Sequence, residues 1–182
     1  MSKVYIFMAD GTEEVEALTA VDILRRAKLE VVTVSVMKSK NILTSHGIKM
    51  ETDELFGESD YADGDMLVLP GGLAGTKNLK AHEKLAMVIK AYEQADKYLA
   101  AICAAPSVLG FNGVLEGKCA TSYPGFEEEL KGAKLSTERV VLDGKVITSR
   151  GLGTAIDFSL KLVELLKGKE TADAISSGIQ YK

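Results

Sequence analysis

The chain is 182 residues long, with 46% hydrophobic and 26% charged residues and a formal net charge of −4. This length suits one domain with a sizeable core, and the acidic balance gives no electrostatic reason to expect a nucleic acid or an anionic membrane as a partner. The apolar runs fall far short of the roughly 20 residues needed to cross a bilayer. We therefore expect residues 1–182 to form one globular domain.

The N-terminal segment and the two cysteines are typical of a protein of the cytoplasm. MSKVYIFMADGTEE reaches acidic residues after only about five apolar ones, so it is expected to be a first strand and not a signal peptide. Without an export signal, Cys103 and Cys119 are expected to be free thiols in a reducing cytoplasm.

Apolar runs and helical periods alternate along the chain. Strands are predicted at Val4–Met8, Glu30–Met37, Asp65–Leu69 and Tyr98–Ile102, with a small hairpin from Ile42–Leu43 and Ile48–Met50 and two more strands around Asp143-Gly144. Helices are predicted at Glu14–Ala27, His82–Ala95, from about Ala104, and at Thr154–Leu166. The first of these helices is expected to have Val15, Leu18, Val21 and Leu24 on its inner side.

This alternation predicts the fold class. Continuous apolar strands separated by amphipathic helices are typical of a parallel sheet that is covered on both faces through right-handed crossovers. We expect an α/β protein, specifically a flavodoxin-like three-layer α/β/α sandwich with a mostly parallel sheet and the hairpins at its edges. Ligands of such sheets bind at the carboxyl ends of the strands.

Three chemically distinct segments follow strands and should meet at that edge. ADGTEEVE follows the first strand and carries Asp10, Glu13, Glu14 and Glu16; PGGLAG follows the strand ending at Leu69; and Cys103 follows Ile102. A group of carboxylates, a glycine turn and a thiol are thus predicted to converge. The convergence is more informative than any one of the segments.

Cys103 stands between a strand and a helix, as in a nucleophile elbow, which needs small neighbours. Ala101, Ala104 and Ala105 meet that need, and Pro106 is tolerated in a first helical turn. A helix N-terminus would lower the pKa of the Cys103 thiol. A buried structural cysteine remains an alternative, and it is the favoured interpretation for Cys119.

The glycine turn and the acids leave alternatives open. The backbone N–H groups of Gly72 and Ala104 could stabilise an oxyanion beside Cys103, although a plain tight turn explains PGGLAG as well. Glu16 precedes Ala20 and Ile23 on one helical stripe and could be partly buried near the thiol, where it would be driven towards its protonated form. Helical periodicity does not choose between Glu13, Glu14 and Glu16.

Histidines and metal motifs are scarce. His46 lies in a TSHG turn, which turn chemistry explains, and His82 opens a charged helix expected at the surface. No CxxC or Cys/His cluster indicates a metal site. We therefore expect no metal site.

The chain resembles the ThiJ/PfpI family, in the subgroup of the human Parkinson-disease-associated protein deglycase. ADGTEEVEALTAVDILRRA, VLPGG, AAICAAP and TSRGLGT carry the resemblance over essentially the whole length. It implies the class I glutamine amidotransferase-like fold, Cys103 as reactive cysteine, Glu16 as the acid bonded to its sulfur, and Gly72 and Ala104 as oxyanion donors. It also implies a homodimer with the first helix at the interface, near Asp22 and Arg26.

One segment departs from the family pattern. Many relatives have a histidine where this chain has Tyr123, within Ser122-Tyr123-Pro124, and a tyrosine is a poor base at neutral pH. A Cys–His mechanism is therefore in doubt, with Tyr123 a possible auxiliary. His46 lies about where the human-type protein has an arginine, and no catalytic role is assigned to it.

Two functions follow from the resemblance. One is a cysteine-dependent, cofactor-free glyoxalase III or protein deglycase that acts on methylglyoxal, glyoxal and their early adducts. The other is a redox-sensing, stress-protective chaperone that uses oxidation of Cys103. A thiazole monophosphate biosynthesis role, attached to some relatives by name, lacks a clear phosphate cradle here. Proteolysis is not expected, because Ala104 replaces the histidine that follows the nucleophile in protease relatives.

Overall fold

The computed structural model describes residues 2–181, and within them the chain alternates strands and helices. The strands are β1 (Lys3–Met8), β2 (Glu30–Ser35), β3 (Asn41–Leu43), β4 (Lys49–Glu51), β5 (Glu54–Leu55), β6 (Met66–Leu69), β7 (Tyr98–Ile102), β8 (Cys119–Ala120), β9 (Lys134–Leu135), β10 (Val140–Asp143) and β11 (Val146–Ser149). The α-helices are α1 (Glu14–Arg26), α2 (Leu73–Ala81), α3 (Glu83–Gln94), α4 (Pro106–Phe111), α5 (Ala155–Lys167) and α6 (Lys169–Gly178).

The main sheet has the order β10-β11-β7-β6-β1-β2-β5. All neighbouring pairs in it are parallel except β10 with β11, which form an antiparallel hairpin at one edge. β3 pairs with β4 and β8 with β9 in two small separate sheets. The mostly parallel sheet and the β10–β11 hairpin at its edge confirm the predicted topology, but the predicted hairpin of β3 and β4 forms a separate sheet and is not an edge of the main one.

Two hydrophobic cores cover the two faces of the sheet. Val4, Ile6 and Met8 point from β1 to one core with residues of α1, α5 and α6. Tyr5 and Phe7 point to the other, which includes Leu85 and Ile89 of α3. This alternation follows from the period of two in a strand, and it confirms the three-layer α/β/α sandwich.

Several local predictions are wrong. Val15 and Leu18 were expected on the inner side of the first helix, but their side chains are 45% and 46% exposed. Val21 and Leu24 are buried as predicted, and Ala17 and Ala20 join them on the buried side, where small side chains allow α1 to pack closely. PGGLAG is only partly a turn, since α2 begins at Leu73.

In the described residues 2–181, no helix is long and apolar enough to cross a membrane.

Candidate active site

Four loops meet at the carboxyl edge of the central strands. They follow β1, β6, β7 and β11; the first leads into α1, whose first turn carries Glu16, and the other three carry Gly72, Cys103 and Gly151 respectively. The predicted convergence of acid, glycine turn and thiol is therefore present. The β11 loop is an addition that the sequence reasoning did not include.

Cys103 occupies a strained elbow between β7 and α4. Its φ is +66°, in the left-handed region that costs a residue with a side chain about 1–2 kcal/mol. Its N–H donates to the Ser149 carbonyl at 3.0 Å, and its own carbonyl accepts the N–H of Tyr123 at 2.8 Å. These bonds hold the strained residue between β11 and the 121–124 segment. The geometry is that of a nucleophile elbow.

The backbone N–H groups of Gly72 and Ala104 both donate to the Cys103 sulfur. Gly72 has a φ of +90°, and a Cβ on it would lie 2.2 Å from the carbonyl oxygen of Gly11. Only glycine fits there, because a side chain would clash with backbone that cannot move away cheaply. The two donors proposed from the sequence thus point at the same atom.

Glu16 approaches the sulfur from α1. The residue is 1% exposed, and a hydrogen bond joins its carboxyl to Cys103. The carboxyl also accepts the N–H of Gly71 at 3.0 Å and the N–H of Leu152. The stripe of Glu16, Ala20 and Ile23 is buried as predicted, and it brings the acid to the thiol.

Burial controls the protonation of this pair. Removal from water raises the pKa of the Glu16 carboxyl to about 7, the hydrogen bond with Cys103 opposes that rise, and the negative charge of Glu13 adds to it. Burial also raises the pKa of the Cys103 thiol to about 12, and the charge and hydrogen bond of Glu16 reinforce this. Near neutral pH the pair therefore gives up one proton and keeps the other.

The prediction that the helix N-terminus lowers the pKa of the Cys103 thiol is wrong. The N–H groups of Gly72 and Ala104 do favour the thiolate, but burial and the neighbouring carboxyl outweigh them. A thiolate forms here most readily when Glu16 holds the remaining proton, because only one of the two groups is then charged.

Gly151 and Tyr123 form a wall of the site. A Cβ on Gly151 would lie 3.8 Å from both the Cys103 Sγ and Glu16 Oε1, and 3.3 Å from the Tyr123 ring. Tyr123 is 52% exposed, so its ring stands at the rim of the site and not in its interior. Sequence reasoning placed Tyr123 here and assigned no role to Gly151.

The remaining acids and histidines have partners outside the Cys103 site. Glu13 caps α1 by accepting the Glu16 N–H at 2.7 Å, and Glu14 contacts His46 at 2.8 Å. His82 is not a free surface residue, because it accepts the Leu85 N–H and packs on Phe56 with ring centroids 4.4 Å apart.

Gly71, Gly151 and Leu152 were missed as site residues. Gly71 leaves no room for a side chain, since a Cβ would lie 2.5 Å from both Cys103 Cβ and Glu16 Oε2. TSRGLGT was part of the resemblance but was given no place in the site. Because β11 lies parallel beside β7, its carboxyl end had to reach the same edge, and that topology was the available signal.

Comparison with known proteins agrees with this geometry. The model of the DJ-1/PfpI family matches residues 2–165. The chain is 44% identical over 177 residues to Protein DJ-1 homolog A of Arabidopsis thaliana, which covers 96% of the chain but only 45% of that relative, so the chain spans less than half of its length.

Two other related proteins match this chain over nearly the full length of both sequences. The glutathione-independent glyoxalase DJ-1 of Schizosaccharomyces pombe is 33% identical over 185 residues, covering 96% of each protein. The solved structure of oxidized Toxoplasma gondii DJ-1 superposes with a TM-score of 0.96 at 35% identity, covering 100% of this chain and 99% of that one. With the family pattern matched over most of its length, the chain belongs to the DJ-1/PfpI family.

Proposed function

We propose that this protein is a cysteine-dependent, cofactor-free glyoxalase or deglycase that acts on methylglyoxal, glyoxal and their early adducts. One observation carries the proposal: the sulfur of Cys103 forms hydrogen bonds both with the Glu16 carboxyl and with the N–H groups of Gly72 and Ala104. A nucleophile, a proton carrier and two oxyanion donors thus surround one point. The glyoxalase name of the S. pombe relative supports the choice of substrate class.

The first step is attack by the Cys103 thiolate on the aldehyde carbon of methylglyoxal. The carbonyl π electrons move to oxygen, and the N–H groups of Gly72 and Ala104 stabilise the resulting alkoxide. The proton held by Glu16 neutralises that oxygen and gives a hemithioacetal. Glu16 is then a carboxylate and can accept a proton.

The second step moves a hydrogen between two substrate carbons. The Glu16 carboxylate removes the proton from the former aldehyde carbon, which leaves an enediolate with its negative charge on the neighbouring oxygen. Glu16 returns this proton to the neighbouring carbon, and the hydroxyl proton of the first carbon passes to the neighbouring oxygen, which leaves a lactoyl thioester on Cys103. Water hydrolyses the thioester to lactate and restores the thiol. One carbon is oxidised and its neighbour reduced, so the reaction needs no external oxidant or cofactor.

The test is lactate formation from methylglyoxal by the purified protein. Cys103→Ala should reduce lactate production to the uncatalysed background, because it removes the atom that attacks. Cys119→Ala, which replaces the other half-buried thiol, should retain the wild-type rate. Full activity in Cys103→Ala would exclude this mechanism.

A second candidate is oxidant sensing at the same sulfur. Oxidation of a thiolate to a sulfinate creates oxygens that need donors, and Gly72, Ala104 and a protonated Glu16 supply them. The related Toxoplasma gondii structure is of an oxidized form. After mild peroxide treatment, mass spectrometry should find two added oxygens on Cys103 and none on Cys119. Equal oxidation of both cysteines would contradict this function.

We also propose that the protein forms a homodimer through α1. Val15 and Leu18 on that helix and Ile48 beside it are 45%, 46% and 51% exposed, and they line one groove. These side chains are already about half buried, so covering the rest of each is worth about 0.7–1.5 kcal/mol. Asp22 and Arg26 border the groove, so a two-fold axis can place opposite charges across it. Leu18→Glu should convert the dimer to a monomer in sedimentation equilibrium, whereas Met87→Glu on α3 should not.

A further inference from the structure

Three metal-ligating side chains lie together that the proposed reaction does not use. They are Glu13, Glu14 and His46, and each offers one ligand atom within 4.8 Å of the others. Glu13 and Glu14 lie at the start of α1 and are 8% and 7% exposed. The His46 ring, by contrast, is exposed to solvent, so an ion has a path to the cluster.

The backbone holds His46 against the start of α1. His46 lies in the turn between β3 and β4, and the N–H of Ser45 donates to the Thr12 carbonyl at 2.9 Å. His46 Nδ1 is 2.8 Å from Glu14 Oε1, and the Ser45 hydroxyl donates to Glu14 Oε2 at 3.0 Å. The imidazole and the carboxylate are therefore placed by the fold and are not free to drift apart.

Glu13 leaves one buried oxygen without a donor. Its Oε2 accepts the Glu16 N–H and caps the helix, but Oε1 is buried and has no hydrogen-bond partner. That oxygen faces the cluster, 4.0 Å from His46 Nδ1. A buried carboxylate oxygen without a partner is destabilising, commonly by about 1–3 kcal/mol or more. Helix capping accounts for the position of Glu13 Oε2 but gives no reason for burying Oε1 without a hydrogen-bond donor.

We propose that Glu13, Glu14 and His46 bind a divalent transition-metal ion through one oxygen of each carboxylate and the Nδ1 atom of the imidazole. Ligand atoms about 2.0–2.1 Å from a tetrahedral zinc ion lie roughly 3.3 Å apart. The observed separations of 2.8 Å and 4.0 Å from Nδ1 fall on either side of that value. Small movements of the exposed ring are enough to equalise them.

The donor set also selects the class of ion. Two carboxylates and an imidazole suit zinc and its neighbours in the first transition row, whereas Mg²⁺ and Ca²⁺ prefer oxygen donors alone. The ion replaces the proton between His46 Nδ1 and Glu14, neutralises two closely spaced carboxylates and gives Glu13 Oε1 a partner. Water completes the coordination on the exposed side. The sequence did not reveal this site, because His46 lies 32 positions from Glu14.

The test is titration of the full chain with Zn²⁺, with its thiols reduced and in its solution oligomeric state, against a chromogenic zinc chelator. We expect one ion per chain in the wild type. His46→Ala should weaken binding by about 10-fold or more, given that even outer-shell changes cost 10–100-fold. The ring is exposed, so this variant should fold normally, and its thermal unfolding checks that it does.

Two controls separate this site from other ligands in the chain. His82→Ala removes the other histidine and should leave zinc affinity unchanged, as should Cys103→Ala. Co²⁺ bound in place of zinc should show d–d absorption bands without a thiolate charge-transfer band. Affinity equal in His46→Ala and wild type would overturn the proposal. Loss of binding in Cys103→Ala would overturn it too, because the ion would then lie on the sulfur.

Discussion

The two cysteines of this chain are similar in exposure and different in surroundings. Both are free and half-buried, and each has a carboxyl group nearby. At Cys119 the carboxylate is Asp143, whose Oδ2 accepts the backbone N–H of the cysteine at 2.7 Å. At Cys103 the carboxyl of Glu16 bonds to the sulfur itself. The first arrangement ties down the backbone, and the second changes the chemistry of the thiol.

The backbone adds a second difference. Cys119 pairs with Lys134 in the short parallel β8–β9 ladder. Cys103 has a φ of +66° and stands at the end of a central strand, where two N–H groups reach its sulfur. Exposure alone does not distinguish the two thiols. What distinguishes them is the direction in which the neighbouring donors and acids point.

The largest effect on activity is expected when the carboxyl of Glu16 is replaced by an uncharged amide of the same size. Glu16→Gln keeps the size of the side chain but cannot carry a proton between substrate carbons. We expect kcat/KM for methylglyoxal to fall by about 10²–10⁴-fold, the usual range for loss of a general acid–base group. The matched variant Asp143→Asn, beside Cys119, should keep the wild-type value. Equal losses in both variants would remove the distinction between the two sites.

A smaller effect is expected in stability as a function of pH. The pKa of Glu16 is raised to about 7 in the folded protein, so folding favours the protonated carboxyl. Its stabilising contribution is complete below the pKa of the unfolded chain, near 4.3, and is lost as pH rises through about 7. Wild type should therefore lose on the order of 3 kcal/mol relative to Glu16→Gln between pH 4 and pH 8.

Urea denaturation of both proteins across that range provides the measurement. Burial raises the pKa of the Cys103 thiol, which therefore stays protonated in the folded protein over this range, so the difference between the unfolding free energies of the two proteins reports Glu16. If the difference in unfolding free energy between the two proteins stays constant with pH, burial does not raise the pKa of the Glu16 carboxyl, and this part of the account is wrong.

The central strands and long helices could be predicted from sequence because burial imposes a period on them. VYIFM and the MLVL part of DMLVL are continuous apolar runs, and both lie in the middle of the sheet as predicted. β5, β8 and β9 have two residues each, too few to show any period. α2 was missed because Gly75 reads as a turn residue, yet it lies in the helix, where a Cβ would be 2.7 Å from the Thr12 backbone.

The candidate site was predictable in part. Topology placed Cys103, the glycine turn and the acids at one edge, and the resemblance chose Glu16, which periodicity did not. The direction of the thiol pKa shift was not predictable from sequence, because it depends on how deeply Cys103 and Glu16 are buried together. The pairing of His46 with Glu14 also depends on a turn packing against a distant helix.

The most direct test of a shared proton at Cys103 is its alkylation rate by iodoacetamide as a function of pH, read by mass spectrometry with the Cys119 peptide as internal control. In wild type the Cys103 rate should stay low at neutral pH and rise only well above the range of an ordinary thiol, because burial and the charge and hydrogen bond of Glu16 raise the pKa of the thiol to about 12. In Glu16→Gln the rise should move to lower pH, because that charge and hydrogen bond are removed while the burial remains. Identical profiles for Cys103 in the two proteins would contradict the coupling of sulfur and carboxyl on which the proposed chemistry rests.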